Sequence, residues 1–196
     1  VIAFARHGQT ELNRGGRLQG RLDAPLSELG SRQAAALARG FAAEPVARVV
    51  SSPLRRAADT ATAIARVHGL DVAVDDRLIE LDYGDWDGLA LGDVPAGAWD
   101  AWRADPGFAP PGGESLVDVT ARIAAFCAAV GDTGLVIAVS HVSPIKAAVC
   151  NALRVDEHAT WRMQLDVASV TRIGHRPDGS TYLSTFNDTA FVKSVE

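Results

Sequence analysis

Apolar positions along this chain fall into two alternating periods. Val1-Ile2-Ala3-Phe4-Ala5 and Leu135-Val136-Ile137-Ala138-Val139-Ser140 are nearly unbroken apolar runs, and short runs of this kind predict parallel strands buried on both faces. Elsewhere the period lengthens. Ser27 stands where an N-cap belongs, and Leu29, Ala36, Leu37 and Phe41 fall on one side of a helix reaching about Phe41. A strand over 48–52, a helix over 54–67, the short strand Val72-Ala73-Val74, a helix from about Ser115 to Val130 and a helix over 143–153 continue the alternation. Leu165 to Ile173 and Thr181 to Phe186, joined across Pro177-Asp178-Gly179, read as an antiparallel hairpin. The sum predicts an α/β fold, a three-layer α/β/α sandwich whose sheet is mostly parallel with an antiparallel edge.

Two stretches lack a period. A long Gly-rich loop is expected from the first strand through Pro25, and 89–113 is the least regular part of the chain. Trp99 and Trp102, with Phe108 and the prolines Pro106, Pro110 and Pro111, suggest that the second stretch is an ordered excursion over the C-terminal face of the sheet. Either it is a lid, as long irregular excursions often are, or its tryptophans anchor a helix to the body. No repeat or low-complexity segment interrupts 1–196, which reads as one domain.

Chemistry gathers at the strand ends. Arg6-His7-Gly8-Gln9 closes the first apolar run, and in open α/β sheets ligands bind where parallel strands end. Neutral imidazole is a nucleophile near pH 7, and a guanidinium offers a rigid fork of donors to phosphoryl oxygens. By themselves these four residues fit a solvated turn equally well. His141, however, directly follows the second run. If the two strands lie side by side, roughly 5 Å apart, both imidazoles face one pocket. Arg55 and Arg56 fall in the first turn of the helix after Pro53, where basic residues oppose the helix dipole unless an anion joins them. Adjacent helical positions point about 100° apart, so only one of the two faces any given ligand.

Five motifs in order carry a resemblance: Arg6-His7-Gly8-Gln9-Thr10-Glu11-Leu12-Asn13; Ser52-Pro53-Leu54-Arg55-Arg56-Ala57 with Thr60-Ala61; Glu80-Leu81-Asp82-Tyr83-Gly84-Asp85-Trp86-Asp87-Gly88; Pro111-Gly112-Gly113-Glu114-Ser115; and Val139-Ser140-His141. The chain resembles the histidine phosphatase superfamily, also called phosphoglycerate mutase-like. Its nearest likeness is to the phosphatase branch, to actinobacterial acid phosphatase and glucosyl-3-phosphoglycerate phosphatase-type domains. The resemblance implies that His7 accepts the phosphoryl group, that Arg6 and Arg56 clamp it, that His141 is the second pocket histidine and that Glu80 is the general acid. Arg56 is preferred to Arg55 because the family's arginine directly precedes the alanine matched by Ala57. Asn13 and Gln19 resemble side chains that reach the phosphate from the first loop, although Asn13 could instead cap or turn its own backbone. Asp82, two residues beyond Glu80, is the local competitor for the acid. Val142 stands where the family usually has glycine. Valine resists positive φ, so a right-handed backbone is expected there, and the contact of its N–H with a substrate oxygen is the role in question.

The activity implied is a metal-independent phosphomonoester hydrolase working through a phosphohistidine on a small phosphorylated metabolite, with no cofactor. Two alternatives stand beside it. A cofactor-dependent phosphoglycerate mutase is disfavoured by the short chain, and a non-catalytic phospho-ligand binder by the full set of reactive residues. The resemblance extends to enzymes acting on phosphosugars, glucosyl-3-phosphoglycerate and α-ribazole 5′-phosphate, without choosing among them.

His68, His158 and His175 are scattered, and no His-x-x-x-His or Cys-x-x-Cys spacing suggests a metal site. Cys127 and Cys150 fall on apolar helix faces as expected free thiols, in keeping with a reducing cytoplasm. With 196 residues and 47% hydrophobic content the chain can bury a full core. A net charge of −5 argues against a nucleic-acid partner. No apolar stretch of membrane length and no signal-type leader is visible, so no membrane partner is expected. The sequence begins inside the first expected strand, which leaves room for a leader or fused domain upstream. Oligomeric state stays open, a homodimer among the alternatives. Lys146 and Lys193 are the only lysines.

Overall fold

In the computed structural model, which describes residues 1–131 and 134–195, the chain runs β1 (Ile2–Arg6), α1 (Glu11–Arg14), α2 (Glu28–Phe41), β2 (Val46–Ser51), α3 (Arg55–His68), β3 (Val72–Val74), α4 (Ala98–Ala104), α5 (Leu116–Val130), β4 (Leu135–Ser140), α6 (Val142–Leu153), β5 (Val170–His175) and β6 (Thr181–Asp188). The strands form one sheet in the order β3-β2-β4-β1-β5-β6. β1 to β4 are mutually parallel, whereas β5 runs antiparallel to β1 and β6 antiparallel to β5. The mostly parallel sheet with an antiparallel edge is therefore observed.

Alternation along β1 explains the layers. Ile2 and Phe4 point into a core shared with Ile123 and Phe126 of α5 and Ile145 of α6, where Phe4 meets Phe126 edge to face at 6.2 Å. Ala3 and Ala5 point the other way, into a core built with Leu37 and Phe41 of α2 and Ala57, Ala61 and Ile64 of α3. Successive strand residues face opposite sides, so an unbroken apolar run serves two helix layers at once. Ser27 caps α2 by accepting the Gly30 N–H, and Ser115 with Asp118 forms a capping box on α5. Leu29 is only half-buried, and the buried Gln33 takes its place on the inner face of α2.

Three boundaries differ from expectation. The first loop contains α1, a single turn held by a Thr10–Asn13 capping box. β5 starts at Val170 because Ala168 takes φ 53° and the Ser169 N–H turns back to Asp166 O. The 89–113 excursion carries α4, whose Trp102 is buried against Tyr83, Trp86, Trp99, Phe108 and Trp161. These are the contacts of an anchored helix.

Candidate active site

β1 and β4 pair with Arg6 opposite Ser140, so the next residue of each strand is a histidine. The His7 N–H donates to Ser140 O at 3.1 Å, and the rings of His7 and His141 lie 5.0 Å apart, both buried.

The tautomer of His7 follows from its partners. Nδ1 lies 2.7 Å from the Gly8 carbonyl, which can only accept, so Nδ1 carries the proton and Nε2 the lone pair. Arg56 donates its Nε–H to that lone pair at 3.3 Å. Burial, reinforced by Arg56 and Arg6, holds the imidazole pKa well below 6.5. The loop bearing His7 is seated by two glycines. A Cβ on Gly8 would lie 2.4 Å from Gly30 O, and one on Gly30 would lie 2.0 Å from Gln9 O. Only bare backbone lets the loop lie this close to α2.

Arg56 and Arg55 part company as helix geometry requires. Arg56 is fully buried and donates to Leu22 O and Gly20 O, each at 2.8 Å. Those peptides are held in turn by Asp87, whose carboxylate accepts the N–H groups of Gly20, Arg21 and Leu22. Burial lowers the Arg56 pKa to about 10, with Glu80, Asp23 and Asp87 opposing the fall, so it stays charged at neutral pH. Arg55 is exposed, its Nε 3.5 Å from Asp59. The anion expected at the start of α3 is supplied by the chain itself: Asp23 accepts the Arg55 N–H at 2.6 Å. Arg6 donates to Leu165 O at 2.6 Å, while its Nε is buried without a partner. His141 Nε2 lies 2.7 Å from Ser52 Oγ, and its Nδ1 is likewise unpartnered.

Glu80 is buried at the N-terminus of α6. Its Oε1 accepts from the N–H groups of Leu81 and Ser143, and Oε2 from Val142 N–H at 3.0 Å. The N–H that the resemblance assigns to a substrate oxygen is thus spent on Glu80. Val142 itself opens α6 with a right-handed helical backbone, in keeping with valine's resistance to positive φ. Asp82 turns elsewhere, accepting the Gly84 N–H and lying 3.8 Å from Arg21. Asn13 Oδ1 accepts the Thr10 N–H in the capping box of α1, which leaves its amide nitrogen as the free donor. Gln19 accepts from Thr10 Oγ1 at 2.6 Å, with Nε2 buried and unpartnered.

Three supporting residues lay inside the motifs without an assigned part. Ser52 holds His141, Asp87 orders the carbonyls around Arg56, and Thr60 Oγ1 accepts the Gly8 N–H. Among the described residues no group of three or more His, Cys, Asp or Glu side chains could hold a metal ion. Cys127 and Cys150 are free, and burial raises both thiols to about 11.

The sequence profile of the histidine phosphatase superfamily (branch 1) matches residues 2–189. The chain belongs to this superfamily. Among its relatives, the bifunctional protein Rv2228c of Mycobacterium tuberculosis is 40% identical over 199 residues, covering 97% of this chain and 54% of its own length. Glucosyl-3-phosphoglycerate phosphatase of the same organism is 50% identical over 124 residues, 62% of this chain and 56% of that protein. The chain spans about half the length of these curated relatives. Among solved structures, mycobacterial glucosyl-3-phosphoglycerate phosphatase complexed with VO3 superposes with a TM-score of 0.89 at 36% identity, covering 96% and 99% of the two chains.

Proposed function

We propose that this histidine phosphatase, one domain over 1–196, hydrolyses phosphate monoesters by way of a phosphohistidine on His7. The observation that carries the reading is the His7 ring, fixed through Nδ1 to Gly8 O with its Nε2 lone pair beside the Arg56 guanidinium. A neutral, immobile nucleophile next to a planar cation is what transfer of a phosphoryl dianion requires. Arg6, Arg56 and His141 supply the preorganised donors for its equatorial oxygens, so no metal or cofactor is invoked.

Nε2 attacks phosphorus in line, the P–O ester bond breaks, and the leaving oxygen takes a proton from Glu80. Water then attacks the phosphohistidine and passes a proton back to Glu80, the P–N bond breaks and phosphate departs. A proton on Oε2 costs Glu80 its bond from Val142 N–H, which frees that donor for a phosphoryl oxygen. Asn13 and Gln19 offer amide nitrogens from the first loop. Substrates belong to the small phosphorylated metabolites, a class that includes the glucosyl-3-phosphoglycerate of the mycobacterial relatives. Two free thiols favour a cytoplasmic setting, and among the described residues no helix is long and apolar enough to cross a membrane.

The test is phosphate release from a panel of phosphomonoesters, with 2-/3-phosphoglycerate interconversion measured in parallel. Wild type is expected to release phosphate in the presence of chelator, to be inhibited by vanadate and to lose activity as His7→Ala. Activity in His7→Ala, or interconversion without net release, overturns the proposal.

A further inference from the structure

Asn187 lies outside all five motifs, near the end of β6, yet both ends of its side chain close on the segment that holds Arg6. Its Oδ1 accepts the Asp166 N–H at 2.7 Å, and its Nδ2 donates to Asp166 Oδ2 at 2.8 Å. One residue before Asp166, the Leu165 carbonyl takes the Arg6 guanidinium at 2.6 Å. The other oxygen of Asp166 accepts Gln164 Nε2 at 3.0 Å. Gln164 and Asn187 together hold this carboxyl below its usual range, so it is charged at neutral pH. Burial lowers the pKa of Arg6, and Asp166 joins Glu80 and Tyr83 in opposing the fall.

The backbone around this pair does not fix itself. Between Leu165 and β5 the chain turns through Ala168 at φ 53°, a left-handed conformation that costs an alanine free energy. The Ala168 N–H donates to His7 O and Ser169 O accepts the Arg6 N–H, each at 3.0 Å, so the turn is laced to the strand end that bears the nucleophile. Asn187 is left-handed too, at φ 53°, a conformation that asparagine accepts more readily than most residues. Its N–H turns to Thr171 Oγ1 at 3.2 Å, beside the register shift between Val170 and Arg172. Irregularities of this kind re-aim a side chain, and every side-chain hydrogen bond of Asn187 among the described residues goes to Asp166.

We infer that Asn187 is a positioning residue for the phosphoryl site: by pinning Asp166 with two bonds it fixes the Leu165 carbonyl against which Arg6 is oriented. The inference rests on the reading of Arg6 as a phosphoryl ligand and deepens it. Asn187 bonds to neither Arg6 nor His7, so its effect reaches the site only through Arg6. A guanidinium serves phosphoryl oxygens when its fork of donors is aimed at them. Freed from Leu165 O, Arg6 keeps its charge and loses its aim.

A double-mutant cycle on vanadate binding tests this. Asn187→Gly removes the side chain and takes the left-handed backbone without strain. By calorimetry it should weaken vanadate binding fivefold or more when Arg6 is present, and less than twofold in the Arg6→Ala background, where nothing is left to position. A merely structural role would weaken binding equally in both backgrounds. That result, or a change below twofold with Arg6 present, overturns the inference while leaving the phosphatase reading intact. Should Asn187→Gly fail to fold, Asn187→Asp replaces it: the acceptor for the Asp166 N–H is kept, a carboxylate is set against Asp166 Oδ2, and the same pattern is expected. The NMR resonance of the Arg6 Nε–H in the free protein, assigned by its loss in Arg6→Ala, is followed in parallel. It should shift or vanish in the Asn187 variant, and an unmoved resonance refutes the positioning. If vanadate does not bind wild type, the phosphatase reading has failed, and the resonance alone decides, as it does if Arg6→Ala binds too weakly to measure.

Discussion

Arg56 directs its Nε–H at Nε2 of His7 across 3.3 Å, so a permanent cation rests against the lone pair that must stay unprotonated. Arg56 therefore lowers the pKa of His7, a smaller effect than burial but in the same direction. An imidazole depressed in this way stays neutral as pH falls through 6.5 and gains its proton only well below that value. Activity at pH 6 is expected to be limited by some group other than His7. Replacing Arg56 by Gln removes the repulsion, and the His7 titration followed by NMR should move upward in pH. A downward move, or none, would show that the guanidinium does not set the protonation state of the nucleophile.

The two neighbouring arginines separate cleanly. Arg56→Lys keeps the charge but cannot reach Gly20 O, Leu22 O and His7 with one planar fork. Its kcat/KM should drop tenfold or more, a loss of at least about 1.4 kcal/mol of transition-state stabilisation. Arg55→Lys, exposed beside Asp59, should stay within about twofold of wild type. Steady-state kinetics on one ester compares them, and equal losses would contradict the burial pattern.

Glu80 is tested by varying the leaving group. Glu80→Gln should cripple hydrolysis of an alkyl phosphate, whose alkoxide needs a proton, and slow His7 phosphorylation less with a nitrophenyl ester, which leaves unaided. Since Gln cannot activate water, rapid quench should reveal a burst of phosphohistidine before slow turnover on the aryl ester. Asp82→Asn should behave like wild type. The opposite assignment of the two phenotypes would move the acid to Asp82.

Backbone proximity makes its own prediction. A methyl at Gly30 would sit 2.0 Å from Gln9 O, so Gly30→Ala must push the His7 loop off α2. A cost of about 1–3 kcal/mol in urea unfolding is expected, the range for overpacking, together with lower kcat although no reactive group has been altered. Gly92, with nothing within 4 Å of its Cβ position, supplies the control, and Gly92→Ala should match wild type in both measurements.

The sequence reveals the parts of this site that depend on strand ends. The two apolar runs are buried on both faces, so their pattern survives into the fold, and the residues after them fall side by side once the strands pair. Choosing Arg56 over Arg55 needed the motif, because periodicity alone permits either. The unread parts depend on partners distant in the chain or on elements too short to show a period. α1 is one turn, and its capping box ends in Asn13 where such boxes usually carry Glu or Gln. Asp23 at the start of α3 comes from 32 residues earlier. The Glu80 carboxylate reaches the N–H groups of Val142 and Ser143, 62 and 63 residues away. No local pattern announces a carboxylate that satisfies a helix end so remote from itself.

The place of β1 between β4 and β5 has a consequence for how the chain is made. The strand leaves the ribosome before the other five strands of the sheet, yet both of its neighbours belong to the last third of the sequence. Until about residue 140 has been synthesised, Ile2–Arg6 is an apolar segment with two open edges and no ladder to join. Pairing over such separations carries a loop-closure cost that slows folding, and exposed strand edges invite association with other nascent chains. The arrangement that sets two histidines 5.0 Å apart therefore also fixes when the site can first exist: not before His141 has left the exit tunnel.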